Sequence, residues 1–134
     1  MKAGRASQTA ELTCMGRAAA HGRTAVRGFG DPTALDLLPD EARARVERFR
    51  AGVRPKGVRQ RVAHAHLKGL SEMMAARTVA IDDAIRSADA HQVVILGAGL
   101  DGRAWRMPEL CDATVFEVDH PASQRDKRAR VSRR

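Results

Sequence analysis

A chain of 134 residues suits one modest domain, and 43% apolar with 30% charged residues marks a foldable sequence rather than a disordered one. The net charge of +8 raises nucleic acid as a partner, but the arginines are scattered from Arg5 to Arg134 and are not interleaved with the few aromatics, so that role is set aside. No apolar stretch has the length of a membrane span, no apolar leader opens the chain, and Cys14 and Cys111 lie far apart; the expectation is a cytoplasmic protein with reduced thiols and no membrane partner.

In chain order, residues 7–20 (SQTAELTCMGRAAA) predict a helix with Ser7 or Thr9 as its N-cap and Glu11 in its early turns. Gly22, Gly28 and Gly30 break it before Asp31-Pro32. Leu35, Leu37 and Leu38 mark an apolar patch, and Pro39-Asp40 opens a charged helix, DEARARVERFRAG, in which Val46 and Phe49 share a face. After Gly52, Pro55 and Gly57, the stretch from Val58 to Ala88 is mostly helical, with Ser71 a plausible cap of its last piece. Met74, Thr78, Ile81 and Ile85 recur at helical spacing and predict a buried stripe, and the Met73-Met74 pair reads as core packing.

The pattern then changes. Gln92 to Leu96 is a short β-branched run that predicts a strand buried on both faces of a parallel sheet. A second strand is predicted over Ala113 to Val118, stopped at Asp119-His120-Pro121, with Pro121 opening a further helix. Between the strands, residues 97–102 read Gly-Ala-Gly-Leu-Asp-Gly, a GxGxxG turn, and a carboxylate at the second strand's end, Glu117 or Asp119, follows about twenty residues later. Glycines admit close approach of a nucleoside, and the carboxylate accepts hydrogen bonds from ribose hydroxyls, so a nucleoside cofactor is expected. NAD and S-adenosylmethionine both use this design. Asp101 inside the turn disfavours a diphosphate and favours a cationic cofactor.

The run QVVILGAGLDGRAWRM followed by ATVFEVDHPASQRDK resembles the leucine carboxyl methyltransferase family, in particular its bacterial branch of S-adenosyl-L-methionine-dependent methyltransferases. Ser7-Gln8-Thr9-Ala10, Arg17-Ala18, Asp31-Pro32 and the stretch Ala76-Arg77-Thr78 to Ile81-Asp82 resemble that family's N-terminal helical region. The resemblance implies an α/β, Rossmann-like class I methyltransferase fold, truncated after its first two strands, with residues 1–90 a helical extension and 91–134 the start of the cofactor-binding domain. It further implies that Gly97 and Gly99 line the methionine part of S-adenosyl-L-methionine, that Asp119 binds its ribose with Glu117 the second candidate, and that Arg77 pairs with its carboxylate. Trp105-Arg106 reads as packing.

The methyl acceptor implied is a small molecule or a protein carboxylate or hydroxyl, and no residue present stands out as a general base. The five histidines form no metal-ligand motif, so no metal is expected. As a fragment, the chain is expected to bind cofactor weakly and turn over little. Two rivals stand beside this reading: an NAD-dependent oxidoreductase fragment, and a non-catalytic remnant.

Overall fold

The computed structural model describes residues 7–132, a set of helices beside a small parallel sheet. Helix α1 (Gln8–Ala20) begins where expected, and Ser7 is its cap, its side chain accepting from the Ala10 amide at 3.4 Å. Thr9 therefore lies inside the first turn. Helix α2 (Ala34–Leu37) is one turn long, and Asp31 Oδ1 accepts from the amides of Thr33 and Ala34 at its start. Helix α3 (Asp40–Arg50) follows Pro39 and carries Asp40 and Glu41 in its first turn and Arg48 and Arg50 in its last, an arrangement that complements the helix dipole.

Helix α4 (Gly57–Ala88) is a single run of 32 residues. Ser71 caps nothing: it is buried mid-helix, and its hydroxyl donates to the Lys68 carbonyl. The buried stripe runs through Leu67, Ser71, Met74, Ala75, Thr78 and Asp82, so Met74 and Thr78 lie on it as expected. Ile81 and Ile85 do not; they flank it, because the α1 contact selects the adjacent row of the helix. Met73 points to solvent, while Met74 packs.

Helix α1 is the centre of the core. Cys14, Met15 and Ala18 pack against Leu37 and Leu38 from the α2 region, Val46 of α3 and Leu67 of α4. Gly16 sets how closely α1 and α4 approach, since a Cβ there would lie 2.7 Å from Met74 Cγ and 3.0 Å from Leu70 Cγ and the Leu70 carbonyl. Gly16→Val is therefore expected to lower stability by about 1–3 kcal/mol through overpacking, read by thermal unfolding. An unchanged midpoint would mean that the two helices part without cost.

Strands β1 (Gln92–Leu96) and β2 (Thr114–Val118) pair in parallel, Val94 opposite Phe116 and Leu96 opposite Val118. The second begins one residue later than predicted. They are joined by the glycine turn, the one-turn helix α5 (Arg103–Arg106) and a 3-10 turn at Pro108–Leu110. Helix α6 (Pro121–Val131) has Pro121 in its first turn, and His120 Nδ1 accepts from the Ala122 amide as its cap. It returns over one sheet face, where Lys127 Nζ meets Glu117 Oε1 at 2.7 Å.

The other face is open. Val94, Leu96, Phe116 and Val118 are all about half exposed or more, Leu96 reaching 77%. The expectation of burial on both faces is thus corrected: an unbroken apolar strand presupposes a layer on each side, and the described residues supply one. Among those residues no helix is long and apolar enough to cross a membrane.

Candidate active site

Between the N-terminal end of α1, the C-terminal half of α4 and the ends of both strands lies a cleft of about 660 Å³, within the range of cofactor sites. The glycine turn forms its floor. Gly97 has φ +64°, a left-handed conformation that an L side chain strains to adopt, and nothing lies within 4 Å of where its Cβ would be. That open space faces the cleft. Gly99 has φ +47°, and its missing Cβ would come 2.7 Å from Ala10 Cβ, so its smallness lets the turn seat against α1.

Asp119 stands at the tip of β2 and locks the turn. Its Oδ2 accepts from the Gly99 amide at 2.6 Å, and its Oδ1 from the His120 amide at 2.5 Å. The carboxylate remains partly exposed at the cleft and retains unused lone pairs. Glu117, the other candidate, is turned to the opposite face and paired with Lys127, so its charge is already engaged. Arg77 on α4 is exposed at the cleft's edge, and its side chain makes no hydrogen bond or ion pair with the described residues. Arg77, Gly97, Gly99 and Asp119, drawn from three separate stretches, thus border one cavity. Ile81 and Ile85 add an apolar wall.

Beneath the turn lies an ionic network that sequence reasoning missed. Arg103 Nε is 2.7 Å from Asp82 Oδ1, and its Nη1 pairs with Asp101. Arg106 Nη1 meets Asp82 Oδ2 at 2.6 Å, while Arg17 Nε meets Asp31 Oδ2 at 3.0 Å and its Nη2 donates to the Leu100 carbonyl at 2.5 Å. These side chains are nearly all buried, and they fasten α1, α4 and α5 to the turn. Buried charges need such partners.

The network corrects two expectations. Asp101 does not bias the cleft against a diphosphate, because its carboxylate is buried and neutralised by Arg103. Arg106 packs as expected, but through charge; Trp105 is about half exposed, with Lys127 Nζ over its ring at 4.7 Å. Only the abundance of arginine around the motif hinted at this network, since its acids, Asp31, Asp82 and Asp101, lie 19 to 70 positions from one another along the chain. Burial pushes the Cys14 thiol up to about 11, with the nearby Arg17 charge offsetting this only in part, so the group is inert at neutral pH.

The chain is similar in sequence to known proteins. The profile of the leucine carboxyl methyltransferase family matches residues 10–134. A protein of Mycobacterium sp. (strain MCS) is 43% identical over 58 residues, 41% of this chain and 24% of its own length. One of Mycolicibacterium paratuberculosis (strain ATCC BAA-968 / K-10) is 48% identical over 58 residues, 41% of this chain and 18% of its own length. A Streptomyces coelicolor protein is 51% identical over 47 residues, covering 32% and 16% respectively. All three carry the provisional name of S-adenosyl-L-methionine-dependent methyltransferase, and the matched stretches span a quarter or less of their lengths. With a profile match over nearly all of its residues, this chain belongs to the leucine carboxyl methyltransferase family.

Proposed function

We propose that this chain contributes the S-adenosyl-L-methionine-binding part of a methyltransferase, with residues 91–134 opening a Rossmann-like class I domain and residues 1–90 forming a helical extension over the cofactor cleft. The observation that carries the reading is the convergence of Arg77, Gly97, Gly99 and Asp119 on one cavity. When bound, S-adenosyl-L-methionine supplies an electrophilic methyl group on a sulfonium. The chain's own residues hold and orient. Asp119 accepts from the ribose hydroxyls with the lone pairs its two backbone amides leave free. Arg77 has a guanidinium with no partner to surrender among the described residues, and it offers a two-pronged site to the amino-acid carboxylate. Gly97 leaves room for close approach, and Gly99 keeps the turn seated.

The methyl acceptor proposed is a small molecule or protein carrying a carboxylate or hydroxyl. Alignment is the main requirement for the transfer, and a carboxylate acceptor needs no general base. The family assignment gives no support to the nicotinamide reading.

Calorimetric titration of the full chain with S-adenosylhomocysteine tests the proposal. Saturable binding is expected, with NAD failing to compete. Arg77→Ala is expected to weaken it about tenfold, the worth of one charge-assisted contact, while leaving the melting temperature unchanged because the side chain is exposed. A folded sample that binds NAD instead, or neither compound, would refute it.

A further inference from the structure

The opposite end of the α1–α4 pair carries a second concave site. Two adjoining cavities, of about 410 and 280 Å³, share a wall made by Phe49, Val53, Arg54, Pro55 and His64. The α3–α4 connection forms one rim, turning at Gly52 with φ +68°. The floor is apolar, with Ala19 and Ala20 below one cavity, Leu67 below the other, and Phe49 tilted against His64 between them, ring centroids 4.8 Å apart.

Its rim is cationic. Arg23, Arg54 and Lys68 border the first cavity, Arg45 and Arg48 the second, and none of these side chains makes a hydrogen bond or ion pair with the described residues. The single acid, Glu72, is turned to Thr24, whose hydroxyl donates to it at 2.7 Å. Arg17, Arg86, Arg103, Arg106, Lys127 and Arg130, by contrast, each have a carboxylate. Five cations around one apolar-floored depression, unpaired among the described residues, are a concentration of charge that suits an anion. Nucleic acid fits poorly, since Phe49 already packs against His64 and the surface is a pocket rather than a track.

We infer that this depression binds a small amphiphilic anion, a carboxylate or phosphate monoester on an apolar body, with the body on Phe49, Val53 and Leu67 and the head among Arg54, Lys68 and Arg23. It shares no lining residue with the cofactor cleft. The two sites lie side by side along α1 and α4, with Arg17 and Met74 on the cleft and Ala19 and Glu72 on this depression.

Calorimetry of the full chain with octanoate, octyl phosphate, octanol and acetate tests the inference. At least one octyl anion is expected to bind, the tighter of the two naming the head group, with octanol and acetate each at least tenfold weaker. The double variant Arg54→Gln/Lys68→Gln alters exposed side chains and is expected to keep its helical spectrum while losing at least tenfold in affinity. Asp119→Ala is expected to leave octyl-anion binding unchanged, which separates this site from the proposed cofactor cleft. Octanol binding as tightly as the anions, an unaffected double variant, or displacement of the anion by a short DNA duplex would each overturn it.

Discussion

Arg103→Ala is expected to lower the unfolding free energy by about 3–5 kcal/mol, read as a shift of the urea midpoint at constant slope. The reason is what the substitution leaves behind. Asp82 keeps a partner in Arg106 at 2.6 Å, but Asp101 loses the cation that neutralises it while staying about nine-tenths buried. An uncompensated buried carboxylate costs far more than a lost surface pair. Arg86→Ala is the contrast: it breaks a pair with Glu109 in which both side chains are more than a third exposed, and is expected to shift the midpoint far less because solvent screens such a pair. Equal losses from the two variants would show that the network beneath the turn is hydrated and replaceable.

The same network predicts a dependence on acid. Burial opposes ionisation of Asp82, but hydrogen bonds from Arg106 and Arg103, and then their charges, outweigh it and hold its carboxyl below the ordinary 3.8. Its folded value therefore lies below its unfolded one. The resulting stability is fully present above about pH 4 and is lost as pH falls through the folded value. Arg103→Ala is expected to flatten that acid limb, since one of the two depressing partners is gone.

The second large effect concerns Asp119. Asp119→Ala is expected to weaken S-adenosylhomocysteine binding by about ten- to a hundredfold, the worth of about 1.5–3 kcal/mol for hydrogen bonds to an ionised group. Two losses combine. The ribose hydroxyls lose their acceptor, and the Gly99 amide, now 2.6 Å from an oxygen, loses the bond that fixes the turn. Asp119→Asn keeps one carbonyl oxygen for the Gly99 amide while removing the charge and the second acceptor, which the His120 amide uses. Recovery of the melting temperature without recovery of binding would assign the charge to the ligand. Recovery of both would make Asp119 a positioning residue for the turn alone.

Much of the local structure was legible in the sequence because it rests on neighbours. Ser7 followed by an alanine-rich amphipathic run starts α1, Pro39 and two acids start α3, and Pro121 starts α6. The glycine turn between two β-branched runs was readable for the same reason: strand, turn and helix are adjacent in the chain. Local signals were less useful where a neighbour chose among equivalent faces. Both Ile81 and Ala75 fit a helical period, and it was the packing of α1, through Gly16, that buried one row and left the other at the cleft.

The sequence by itself determined the order of the main elements, the starts of α1, α3 and α6 and the glycine turn with its acidic partner, because propensity, capping and turn chemistry act over a few residues. Tertiary structure decided the rest. It brought Arg77 to the edge of the cleft that Asp119 borders, although they stand 42 positions apart. It turned Asp101 from a free charge into the buried partner of Arg103, and it left one sheet face open where the strand pattern called for cover. Charge pairing and burial depend on which segments meet, and that is fixed by the packing of α1 against α4 rather than by spacing along the chain.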